Sequence, residues 1–114
     1  MLTINELRNF GANVDEGLAR MMNNEGFYLR MVGMGIDDKN FQRLETAISE
    51  NDLNAAFEAD HALKGVLGNL SIDPMMKIVS EMTELLRSHT QMDYRPMLKE
   101  LLAKREELIG IRNK

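Results

Sequence analysis

Residues 52–70, DLNAAFEADHALKGVLGNL, decide the fold and carry the most informative side chains of the sequence. Turning the segment by roughly 100° per residue, with His61 at zero, gathers Ala59, Leu63, Val66, Leu67 and Leu70 on the far side, with Ala55, Ala56 and Ala62 flanking them. This is an amphipathic helix whose core face lies opposite His61, so the imidazole is expected in solvent. Lys64, Gly65 and Gly68 follow His61 by three, four and seven residues and share its face. Each glycine inside a helix costs about 1 kcal/mol relative to alanine. Two on one exposed stripe therefore weaken the helix, and in return they clear side-chain bulk from around the histidine. Lys64 adds a mobile cation one turn away. The stripe runs back to Phe57 and Leu53 and forward to Ile72, apolar residues that read as a docking surface for a partner, the alternative being that Phe57 packs under the N-terminal segment.

Outward from this segment the sequence stays helical. Asp52 offers an N-cap for the central helix. Before it, about Asp38 to Ser49 places Phe41, Leu44 and Ile48 on one stripe. After it, Asp73 is expected to cap a third helix with Pro74 in its first position, where a missing N–H costs nothing. Met75, Ile78, Val79, Met82, Leu85 and Leu86 follow at helical spacing. A fourth helix begins over Asp93 to Pro96, with Leu98, Leu101, Leu102, Leu108 and Ile109 inward. Loops this short make neighbouring helices antiparallel. The N-terminal third supplies a short helix over Leu2 to Phe10, a second opened by Asn13 with Glu16 three residues on, and a third from about Asn24 to Val32 that Gly33 and Gly35 end or loosen. The expected fold is all-α: an antiparallel up-down four-helix bundle over about 36–112, covered by short N-terminal helices over about 1–35, within a single domain spanning 1–114.

Composition narrows the chemistry. The 114 residues contain no cysteine, which removes thiolate metal sites, disulfides and cysteine nucleophiles. His61 and His89 lack a third ligand at metal-binding spacing, so no metal site is expected; His89 reads as a structural residue at the end of the third helix. The formal net charge of −4 and the absence of a basic run argue against nucleic acid as a partner. No leader-like start and no apolar run of membrane-spanning length is found, and a cytoplasmic monomer without membrane contact is expected. The sequence has no P-loop, nucleotide motif, carboxylate pair or nucleophile triad, so no cofactor is expected. The acidic residues between Glu45 and Asp60 read as a solvated face. Met75 and Met82 read as core, and Met21, Met22, Met31 and Met34 as N-terminal packing.

The run Asp60-His61-Ala62-Leu63-Lys64-Gly65-Val66-Leu67-Gly68-Asn69-Leu70 resembles the signature of histidine-containing phosphotransfer (HPt) domains, with the central His-x-Leu-Lys-Gly matched outright. Leu44, Ala47, Asp52 and Ala56 resemble the family's preceding helix and turn, and Glu84-Leu85-Leu86-Arg87 its following helix. The resemblance covers about Gly35 to Ile111. It departs at Ser71, where many members have glycine.

The resemblance implies that His61 is phosphorylated, through Nε2, and that Lys64 supports the phosphoryl oxygens. It implies that Gly65 and Gly68 give a partner clearance, and that Arg87 contacts phosphate or partner from the next helix. The implied function is a phosphocarrier in a multistep phosphorelay, not a kinase. The phosphoryl group would come from a receiver domain or hybrid histidine kinase and pass to another receiver, the partner bringing aspartate and Mg²⁺. The contrasting reading is a helical adaptor that binds a receiver or kinase domain without accepting phosphate.

Overall fold

A computed structural model describes all residues from 1 to 114. Seven helices and no strand make up the chain: α1 (Ile4–Phe10), α2 (Val14–Arg20), α3 (Glu25–Ile36), α4 (Asn40–Ser49), α5 (Leu53–Asn69), α6 (Asp73–Arg87) and α7 (Arg95–Arg112). α5 packs against α4 on one side and α6 on the other, α6 packs on α7, and α7 returns to α4, closing the expected bundle. No helix is long and apolar enough to cross a membrane.

The helix starts follow from local chemistry. Thr3 and Glu6 form a reciprocal cap on α1, the Glu6 N–H donating to Thr3 Oγ1 at 3.1 Å and the hydroxyl donating to Glu6 Oε1 at 3.1 Å. Asn13 and Glu16 repeat this on α2, Asn24 caps α3 through the Phe27 N–H, and Asp52 caps α5 through the Ala55 N–H.

Three expectations about helix ends need correction. Gly33 and Gly35 do not end α3, which continues to Ile36. Gly35 is instead a contact point: a Cβ there would lie 2.6 Å from Leu70 Cδ1, so its missing side chain lets α3 sit close against the end of α5. Asp73 is not the cap of α6 but its first residue, and Pro74 is therefore second, where a backbone N–H would still have no partner within the helix; the cap position belongs to Ile72, with no side-chain hydrogen bond. The cause lies at Ser71, whose φ of 56° is in the left-handed region and turns the chain sharply between α5 and α6. Glycine is the residue that takes this conformation freely, which accounts for the glycine expected there from the family resemblance. Met22 and Met34 also depart from expectation, standing exposed at the surface.

One hydrophobic core runs through the molecule. Leu7, Val14, Tyr28 and Val32 of the N-terminal helices join Leu44, Leu63, Met75, Val79, Met82, Leu101 and Leu108 of the bundle in the same buried cluster. The N-terminal helices are tied at the α5–α6 turn: the buried Tyr28 hydroxyl donates to Leu70 O at 2.8 Å, and the Asn13 N–H donates to Ser71 O at 2.9 Å. Tyr28 fits there because Gly17 faces it; a Cβ on residue 17 would fall 2.6 Å from the ring. Gly17→Ala should therefore lower stability by about 1–3 kcal/mol through forced repacking, despite alanine's better helix propensity. Urea denaturation measures this, and a stability equal to or above wild type would show that Tyr28 can move aside.

Candidate functional site

α5 presents its core face, Ala56, Ala59, Leu63 and Leu67, to the bundle and leaves His61 exposed. The imidazole makes no hydrogen bond within the chain. It is held by stacking: the Phe57 ring lies one turn earlier with its centroid 5.3 Å from the His61 ring and the planes inclined by 26°. The Arg87 guanidinium of α6 lies 5.6 Å from the same Phe57 centroid. Arg87 is also within 3.8 Å of Glu84 one turn back on α6. Phe57 is thus half-buried between a histidine and an arginine, and it orients the exposed ring without using a ring nitrogen.

Beyond His61 the surface sinks into an open depression of about 370 Å³, bordered by Lys64, Gly65, Gly68, Met76 and Arg20. Gly65 faces open space, with no atom within 4 Å of where a Cβ would stand. At Gly68 a Cβ would meet only the end of Met76, 3.4 Å from its methyl carbon. Lys64 is half-buried and has no carboxylate within ion-pair distance. The structure therefore brings together His61, Lys64, Gly65 and Gly68, with Phe57 and Arg87 on the side away from the depression.

Two of the apolar residues expected around the histidine are elsewhere. Ile72 is 1 % exposed and belongs to the core, because the helical projection runs out at Asn69 and the turn at Ser71 swings the next side chain inward. Leu53 is half-buried and lines a separate hollow with Ile48, Tyr94 and Leu98. Of the expected apolar rim, only Phe57 touches His61.

Asp60 also departs from the solvated face expected for it. It is fully buried, its Oδ2 accepts from Thr83 Oγ1 of α6 at 2.5 Å, and its Oδ1 has no hydrogen-bond partner. Thr83 Oγ1 also lies 2.6 Å from Val79 O, and one hydroxyl proton cannot serve both acceptors at once. Burial pushes the Asp60 carboxyl up to about 7, against the opposing influence of the Thr83 hydroxyl and the Lys64 charge. The side chain on the inner side of the histidine's neighbour thus gains and loses its proton near neutrality.

Arg20 also borders the depression, a placement that the sequence does not signal. From the end of α2 it donates through Nη1 to Gly68 O and, at 2.8 Å, to Ser71 Oγ, while Nη2 pairs with Glu16. No group of three or more His, Cys, Asp or Glu side chains is assembled to hold a metal.

The geometry, an exposed and unpaired histidine with a lysine and glycines along one helix of a four-helix bundle, agrees with a comparison at the family level: the Hpt domain model matches residues 38–111. The chain belongs to the Hpt domain family. No curated protein and no solved structure gives a significant match. Hpt domains are phosphocarrier modules of two-component phosphorelays, not kinases, and they interact with receiver and kinase domains. In this Hpt chain the match takes in α4 to α6 and all but the last residue of α7; α1 to α3, and with them Arg20, lie before it.

Proposed function

We propose that this chain is a phosphorelay intermediate that takes a phosphoryl group onto His61 from an aspartyl-phosphate receiver domain or hybrid kinase and passes it to another receiver. The observation that carries the reading is the exposed imidazole, stacked on Phe57 and bordered by Gly65 and Gly68. A neutral imidazole is a competent nucleophile near pH 7. Its unprotonated nitrogen attacks phosphorus; the N–P bond forms as the acyl-phosphate O–P bond breaks, and the electron pair leaves with the partner's carboxylate. Lys64 lowers the cost of bringing the anionic group to the helix surface. Arg87 acts through Phe57, fixing the ring against which the histidine stacks. Gly65 and Gly68 let the partner's active site reach Nε2. Residues 38–111 are the functional body and the N-terminal helices its cover, the whole working as a cytoplasmic monomer.

The test is to incubate the protein with a ³²P-labelled phosphorylated receiver and look for acid-labile, alkali-stable label on it. Clearance can be tested separately. Gly65→Leu should keep or slightly raise thermal stability, since leucine favours helix by close to 1 kcal/mol over glycine and its Cβ would stand in open space. It should slow transfer about tenfold or more, as crowding of the reacting atoms is felt at the level of an ångström. Wild-type transfer in this variant would remove Gly65 from the docking surface.

A further inference from the structure

Resting on the phosphorelay reading, we propose that Arg20 is a recruiting residue for the receiver partner, supplied by the N-terminal helices outside the matched family body and held in reserve by Glu16. Four observations meet here. First, Arg20 borders the same depression as His61 and Lys64, and no carboxylate lines that depression although the chain carries a net charge of −4. Second, the guanidinium is anchored: Nη1 is fixed on Gly68 O and Ser71 Oγ, the latter presented by the left-handed turn. Third, of the five N–H donors of a guanidinium, two on Nη1 and one on Nη2 are used within the chain, leaving Nε–H and one Nη2–H for another molecule. Fourth, Gly65 and Gly68 form the floor between the arginine and the histidine, so a partner seated over that floor meets Arg20.

Position separates this role from that of Lys64. Arg20 is anchored at Gly68, seven residues beyond His61, or about 10 Å along the helix axis at 1.5 Å per residue. That is beyond reach of phosphoryl oxygens on Nε2 and suited to an anionic group on the rim of a docked protein. A carboxylate on that rim is anionic, and a fixed guanidinium offers it paired donors. Glu16, one turn before Arg20 on α2 and similarly half-exposed, holds Nη2 in the free protein. Docking exchanges this weak surface pair for one across the interface, so Glu16 limits affinity.

The experiment begins with His61 phosphorylated by potassium phosphoramidate, followed by transfer to isolated receiver domains of the same organism, using the one that the wild type phosphorylates fastest. Arg20→Ala and the milder Arg20→Gln should raise the half-saturating receiver concentration about three- to tenfold in low salt. The maximal rate and the lifetime of phosphohistidine should stay within about twofold of wild type, since Arg20 does not touch the phosphoryl group. The difference should shrink between about 0.05 and about 0.5 M salt as the charges are screened. Glu16→Gln, which leaves the anchors of Arg20 in place, should lower the half-saturating concentration about two- to threefold. A merely structural tether would move melting temperature and not this concentration. Unchanged half-saturation in Arg20→Gln, or a loss confined to phosphohistidine lifetime, overturns the role of Arg20 while leaving the relay reading intact. Failure of the wild type to take label or to transfer it overturns both.

Discussion

His61→Gln is expected to abolish the acid-labile label completely while leaving the helical spectrum and melting temperature close to wild type. Glutamine retains polarity and reach but has no nucleophilic ring nitrogen, so no N–P bond can form. Structural damage should be small, because the imidazole is exposed and makes no hydrogen bond; substitutions at such surface positions usually fall within about 0.5 kcal/mol. The stack on Phe57 is lost, and Phe57 keeps its cation–π contact with Arg87. The measurement is transfer from a ³²P-labelled receiver, followed by acid and alkali treatment of the recovered protein. Persisting acid-labile label would place the phosphoryl group on another residue, His89 being the other histidine of the sequence. An adaptor that binds without accepting phosphate would instead show no label in the wild type and equal partner affinity in both forms.

The second large effect belongs to Asp60→Asn and concerns stability. In the native protein burial lifts the Asp60 carboxyl from its ordinary value of 3.8 to about 7. Between those two values the folded chain holds a proton that the unfolded chain has released, so stability falls as pH rises through that window and levels off above it. A tenfold change in a carboxyl's proton affinity on folding is worth about 1.4 kcal/mol, which puts the accumulated loss at roughly 2–4 kcal/mol once relaxation of a buried group is allowed for. Asparagine keeps the shape and does not titrate. The variant and the wild type should therefore differ least near pH 4, and Asp60→Asn should gain on the wild type by that amount up to about pH 8. Urea denaturation across this range reads the difference directly. A constant gap between the two curves would mean that the carboxyl ionises as an ordinary one in the folded protein.

The bundle, its four long helices and the bared histidine are all legible from the 3.6-residue period, because a solvent-facing stripe and a core stripe on one helix are properties of the segment itself. What escapes depends on contacts that the period does not encode. Ile72 projects onto the His61 face only if the helix continues; a single left-handed residue at Ser71 breaks that continuity and buries the side chain. Asp60 lies roughly 100° from His61 on the helical projection, beside Leu67 at the edge of the core, so its burial is readable from angle but masked by the rule that carboxylates face water. Arg20 offers no local signal. Its place beside Gly68 follows from Tyr28 and Asn13 docking on the α5–α6 turn, contacts between residues more than forty positions apart.

The stacked arrangement of Phe57 and His61 has a spectroscopic consequence. Ring currents of the phenylalanine shield the imidazole carbon-bound protons, so the His61 proton resonances should stand upfield of those of His89, and Phe57→Leu should return them to ordinary positions. A titration followed in these two signals would report the protonation of each histidine separately, and the arrival of a phosphoryl group would be visible as a second displacement in one of them alone.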